Sequence, residues 1–297
     1  MKRIIAGQND AGQRLDKFLT KLLKDAPKGM IYKWIRKKRV KINGRRSDID
    51  SFINEGDVIE LYINDEFFDD CKEVPAYLTQ KPQLSRVYED ENILILDKPS
   101  GMVAHDGDDS LICRVQAYLY QKGEYDPQNE RTFAPSLCNR IDRNTSGLVI
   151  AAKNAEALRI INEKIRNREI DKFYILKTEG VIPQSEGKIE GYTIKNEKEN
   201  KVYFYKENIS GSKKCVTEYR ILDKEGMVEA KLITGRTHQI RASFAAIGHP
   251  LVGDVKYGAK KDGKSSFQNL RAYKLVFSFS TPSGKLEYLS GKVFEVL

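Results

Sequence analysis

The chain has 297 residues, a formal net charge of +9 and a pI of about 9.1, long enough for one large domain and a small one. Cys71, Cys113, Cys138 and Cys215 are scattered, with no Cys-x-x-Cys pair and no histidine at zinc-ligand spacing. That argues against a disulfide framework or a structural metal and predicts reduced thiols in a cytoplasmic protein. The opening MKRIIAGQND lacks the apolar stretch of a signal peptide, and runs such as LVIAA at 148–152 are far too short to span a membrane.

In chain order, Leu15, Phe18, Leu19, Leu22 and Leu23 recur on one face, so residues 14–23 read as an amphipathic helix. In the next predicted helix Ile31, Trp34 and Ile35 can face a core while Lys33, Arg36, Lys37 and Arg39 point elsewhere. RVKINGRR then reads as a strand ending in an Asn-Gly turn followed by Arg45, and GDVIELYI as a second strand. Residues 1–64 hold 15 Lys and Arg against 8 Asp and Glu, a net of +7 that leaves only +2 for the remainder. A run of nine Lys or Arg without an acid between Lys28 and Arg46, with Tyr32 and Trp34 nearby, points to phosphate-backbone binding rather than a merely solvated face.

Residues 65–86 contain Pro75 and Pro82, show no sustained periodicity and read as a linker. From Val87 onward, NILIL, LVIAAK, DKFYILK, KVYFYKE, TEYRIL, VEAKLI and AYKLVFSF read as strands, and Asn154 caps a helix carrying Leu158, Ile161 and Ile165. The expected class is α+β, with a mixed, largely antiparallel sheet in the second domain. Thr237 is expected to cap a helix ending near Gly248, placing Arg236, His238 and Arg241 near its start. His105 and His249 suggest no role. GAKKDGKS at 258–265 fits a phosphate-loop pattern but lacks the buried strand before it and the long helix after it, so no nucleotide cofactor is expected.

Four features of the first domain, RLDKFL, the basic helix, VKING and GDVI, together resemble the S4 RNA-binding domain over residues 12–62. RIDRNTSGL, DKFY and TGRTHQIR…GHPLVGD…YG resemble, in the same order, the three signatures of RluA-type RNA pseudouridine synthases. The resemblance implies an S4-like domain over 1–64, a linker over 65–86 and a pseudouridine-synthase fold over 87–297. It matches Asp142 to the catalytic carboxylate, Tyr174 to the tyrosine stacked on the target base and Arg241 to the cation paired with the aspartate. Asn139 stands where many members have His.

The chemistry needs a carboxylate beside the sugar and base, and neighbouring cations favour its charged form. Exchanging a C1′–N1 bond for a C1′–C5 bond is redox-neutral and needs no cofactor, and attack at the sugar and attack at C6 of the base both remain open. Arg140, Arg143, Arg236 and His238 are candidate RNA-holding groups around it. No second acid stands out as a partner for Asp142, which argues against a glycosidase. The expected enzyme is a monomer acting on structured RNA, by analogy large-subunit ribosomal RNA. The alternative is an idle RNA-binding or ribosome-assembly factor.

Overall fold

The first helix of the chain buries Leu15, Phe18 and Leu19 and the second buries Ile31, Trp34 and Ile35, each leaving its charged face to solvent. In the computed structural model, which describes residues 1–68, 74–261 and 267–296, these helices, α1 (Leu15–Leu22) and α2 (Lys28–Arg36), cover a small antiparallel sheet. Its strands are β1 (Lys2–Ile5), β2 (Val40–Ile42), β3 (Arg45–Arg46) and β4 (Val58–Leu61), in the order β1-β4-β2-β3. The Asn-Gly turn between β2 and β3 forms as predicted, with positive φ at both Asn43 (52°) and Gly44 (74°). Trp34 faces the core as expected, packing edge-on against Phe67 at 5.0 Å between centroids.

A second sheet of eleven strands follows. Its strands and covering helices are β5 (Arg86–Glu89), β6 (Ile93–Lys98), α3 (Leu111–Gln121), β7 (Ser136–Leu137), β8 (Ser146–Ala152), α4 (Ala155–Arg166), β9 (Ile170–Lys177), β10 (Glu186–Asn196), β11 (Lys201–Tyr205), β12 (Lys213–Ile221), β13 (Met227–Leu232), α5 (Gln239–Ala246), β14 (Leu270–Phe277) and β15 (Val293–Glu295). The main path runs β11-β10-β12-β13-β9-β14-β8-β6-β5. Alternation along the strands gives two cores. Leu94, Leu96, Val149 and Leu176 face α3 and α5 on one side, and Ile93, Ile95, Leu148 and Ile150 face α4 on the other.

Among the described strands, β8 and β14 make the one parallel pairing, through just two residue pairs, Ser146 with Arg271 and Gly147 with Ala272. This seam joins two antiparallel halves of the sheet. It is also where backbones crowd: a Cβ on Gly147, which has φ +114°, would lie 2.1 Å from the Ala272 carbonyl oxygen. A transverse row runs Lys98, Gly147, Ala272, Tyr174, Ala230, Tyr219, Gly187 across seven strands, with no two large side chains adjacent and two small ones meeting at the seam. The small members leave room for the large ones, and Tyr174 has an alanine on either side.

The β1, β5, α3, β7, β10 and β15 segments carry no element in the sequence reading. The stretch read as a linker is partly packed: Ala76–Thr79 forms a short 3-10 turn, Leu78 is fully buried and the Tyr77 hydroxyl donates to Gln116 at 2.6 Å. The cap of α5 is His238 in the left-handed region (φ 49°), not Thr237, and α5 ends at Ala246. Of the phosphate-loop pattern, Gly258 follows a 3-10 turn at Val255–Tyr257 rather than a strand, and residues 262–266 lie outside the described residues, as does Cys71. No helix among the described residues is long and apolar enough to cross a membrane.

Gly147→Ala should destabilise the fold by roughly 3 kcal/mol or more, since a backbone clash adds to an unfavourable φ. Urea unfolding measures this, and a loss under about 1 kcal/mol would show that the seam yields easily.

Candidate active site

A cleft of about 460 Å³ opens over the seam, within the range of small-molecule sites, and Asp142, Tyr174 and Arg241 all line it. They come from different elements: Asp142 from the loop entering β8, Tyr174 from β9 and Arg241 from α5. The first is therefore supplied by one half of the sheet and the other two by the second half. Arg140, Arg143, Arg236 and His238 line the same cleft, whereas Lys33, Arg36, Lys37, Arg39 and Arg45 are exposed on the small module.

The loop carrying Asp142 is clasped to the turn after β6. The Lys98 Nζ donates to the carbonyls of Pro99, Met102 and Arg143, each at 2.9 Å, the Ser100 hydroxyl to Asn144 O at 2.8 Å, and the Gly101 N–H to Arg143 O at 3.0 Å. In return Arg143 Nε donates to Gly101 O at 3.0 Å, so part of a side chain expected on RNA is occupied within the protein. The Thr145 N–H closes the turn onto Asp142 O at 3.0 Å. Lys98 is fully buried, and burial pushes its ammonium down to about 8 while Asp142 pulls the other way. Three carbonyls match its three N–H groups, so the buried cation is fully satisfied.

Arg241 presents its guanidinium to two carboxylates. Nε and Nη2 donate to the two oxygens of Asp254 at 2.7 and 2.8 Å, and Nη1 donates to Asp142 Oδ2 at 3.3 Å. Burial works against the charge of Arg241, but Asp254 and Asp142 more than offset it and raise its pKa. Asp254 is thus a second acid near Asp142, but one already paired with Arg241. It is 2% exposed with both oxygens held by Arg241, an anchor rather than a free acid or base.

His238 stands 3.9 Å from Asp142 Oδ2 through Nε2, and its Nδ1 lies 2.8 Å from the Tyr257 hydroxyl. The Tyr257 oxygen accepts from the Val202 N–H at 2.9 Å, so its own proton is free to donate to Nδ1. That assigns the Nε2–H tautomer, with the N–H on the Asp142 side. Burial lowers the His238 pKa, and Asp142 opposes it. Gln239, 2% exposed, braces the adjoining loop by donating to Val216 O and Thr217 Oγ1 and accepting from Thr234 Oγ1 and Arg236 N.

Burial, with Asp142 adding to it, pushes the Tyr174 phenol above its ordinary range, so the hydroxyl stays protonated. Asn139 takes the place of a strand partner: its Oδ1 accepts from Ile150 N at 2.8 Å and its Nδ2 donates to Leu148 O at 3.3 Å. The sequence reading missed Lys98, Asp254, Tyr257 and the cleft-lining His105. For the first three the available signal was the motif around each, KPSG and GDVKYG, not the residue type.

The RNA pseudouridylate synthase profile matches residues 92–246 and the S4 domain profile residues 13–59. An uncharacterized RNA pseudouridine synthase of Mycoplasma capricolum is 35% identical, covering 99% of this chain and 96% of that protein. Ribosomal large subunit pseudouridine synthase C of Vibrio parahaemolyticus is 34% identical over 84% of this chain and 78% of its own length. Among solved structures, human RNA pseudouridylate synthase domain containing 1 has a similar fold, with a TM-score of 0.55 at 23% identity over 76% of this chain and 93% of that one.

The His238 imidazole should titrate below the ordinary histidine range of about 6.5, because burial favours its neutral form. The unfolded chain then binds the proton first as pH falls through about 6.5, so His238 destabilises the fold in acid and has no such effect above that pH. A ¹⁵N NMR titration should show the neutral Nε2–H tautomer at pH 7, and a protonated ring there would refute the assignment.

Proposed function

The chain belongs to the RNA pseudouridylate synthase family, and from that membership we propose that Asp142 is the carboxylate with which it isomerises uridines of large-subunit ribosomal RNA. The enzyme is an isomerase with an S4 domain at its N-terminal end. The observation that carries the residue assignment is the convergence of Asp142, Tyr174 and Arg241 in one cleft, from elements on both sides of the seam. The ribosomal substrate is supported by the name of the Vibrio parahaemolyticus relative. The division into 1–64, 65–86 and 87–297 is part of the proposal, the turn at 76–79 docking the connecting stretch on the large domain. So are a monomeric state, a cytoplasmic location and the absence of a cofactor.

The target uridine leaves its stack and enters the cleft, where Tyr174 lies against the base and Arg140, Arg143 and Arg236 meet the neighbouring phosphates. The C1′–N1 bond breaks, C1′ bonds to C5, N1 gains a proton and C5 loses one, so no redox partner is required. Asp142 acts as nucleophile or base, held by the Arg241 Nη1 and by the clasped loop. Its preorganisation means that little rearrangement is needed when RNA arrives. The Tyr174 ring stacks on the base, and its hydroxyl, held protonated, can donate but not act as a phenolate base.

Asp142→Asn should lower the single-turnover rate at least about 10⁴-fold while leaving RNA affinity close to wild type, since it keeps shape and removes the nucleophile. Rapid isomerisation by this variant would end the assignment. Tyr174→Phe should retain the stacking and slow the reaction by roughly 10²-fold. An unchanged rate would show the hydroxyl to be dispensable.

A further inference from the structure

The loop between β1 and α1, residues 7–13, makes no part of the cleft or of the basic face, yet it is densely hydrogen-bonded to the large domain. Asp10, 4% exposed, accepts through Oδ1 from the Thr132 hydroxyl at 2.6 Å, and the same hydroxyl accepts from Gln13 Nε2 at 3.0 Å. Asn9 donates to Glu130 Oε1 at 2.6 Å and accepts from the Ala155 N–H at 2.9 Å, entering the first turn of α4. Arg159 donates to Ala11 O at 3.0 Å, and Arg131 donates to Ile5 O.

The loop is equally tied to its own module. Gly12 N donates to Ile53 O at 2.8 Å, Ile53 N to Gln13 O at 3.0 Å and Leu15 N to Ser51 O at 2.7 Å. Each end of the connecting stretch is anchored as well, Phe67 against Trp34 in the small core and Leu78 in the large one. Contacts between domains that rest on apolar area alone can slide, whereas buried donors and acceptors must meet particular partners or lose hydrogen bonds. A polar loop of this kind specifies one orientation.

We infer that this loop locks the S4 module to the catalytic domain, so that the exposed basic face and the cleft grip one RNA as a rigid pair. The substrate class that follows is RNA whose folded phosphate array stands at a fixed offset from the target uridine. Short RNA carrying the same uridine engages the cleft alone. The inference rests on the reading of the protein as an RNA-modifying enzyme.

The test compares the full-length protein with an Asp10→Ala/Thr132→Val variant on two RNAs: a transcript of large-subunit ribosomal RNA, and a short hairpin cut from it around the uridine that the wild type modifies. Small-angle X-ray scattering should show a larger radius of gyration for the variant. The RNA concentration giving half-maximal single-turnover rate should rise roughly tenfold on the transcript, because the released module acts at a lower effective concentration. The saturating rate and the hairpin result should not change. An Asn9→Ala/Arg159→Ala variant, which alters no buried charge, should behave alike and serves if the first does not fold. An unchanged radius in both variants overturns the inference, as does a transcript result within about twofold of wild type despite an expanded radius. A wild type inert on both RNAs overturns the enzyme reading instead.

Discussion

The cleft depends on the close approach of two strand backbones at Gly147 and Ala272. Asp142 enters from the loop before β8, while Tyr174 and Arg241 belong to the half of the sheet that contains β9 and β14. Two residue pairs hold these halves together at that level. A side chain at residue 147 would push the strands apart and loosen the approach of Asp142 to Arg241. The TSG segment after Asp142 is thus explained by packing: Thr145 closes the turn, and Gly147 lets the neighbouring strand come near enough for the three groups to meet.

Around that seam the charges are arranged in layers. Asp254 fixes the Nε–Nη2 edge of the Arg241 guanidinium, and an Nη1 N–H reaches Asp142. Lys98 sits beneath the loop and spends its N–H groups on backbone carbonyls, which orders the peptide rather than neutralising a single acid. Desolvating these ions is costly, and the cost is offset because nearly every donor has a partner at hydrogen-bond distance. The outer arginines remain exposed, where they can exchange water for phosphate.

Much of this was legible in the sequence. Apolar alternation marks most strands of the large sheet, the heptad-like spacing of Leu15, Phe18, Leu19 and Leu22 marks α1, and Asn43-Gly44 marks its hairpin. The cleft residues Asp142, Tyr174 and Arg241 were accessible through their motifs. What stayed hidden depends on contacts between distant segments. Lys98 falls in KPSG, which signals only a turn, while one of its three carbonyl partners comes from Arg143, 45 residues away. The role of Asp254 is likewise set by Arg241 on a separate element. Thr237 was a reasonable cap by residue type, but the loop held by Gln239 turns left-handed at His238 and displaces the start of α5 by one residue beyond it. Leu78 lies between prolines, where no periodicity can develop to reveal that it is buried.

The wide sequence separation across the seam also bears on the order in which the chain matures during synthesis. The small module has all of its fully buried core residues once Ile63 has emerged, whereas the partner of Gly147 in the seam is Ala272. At ordinary translation rates the interval between them is on the order of ten to forty seconds. A nascent chain can therefore fold its RNA-gripping module well before it possesses a catalytic centre, and each newly made enzyme gains affinity before it gains activity.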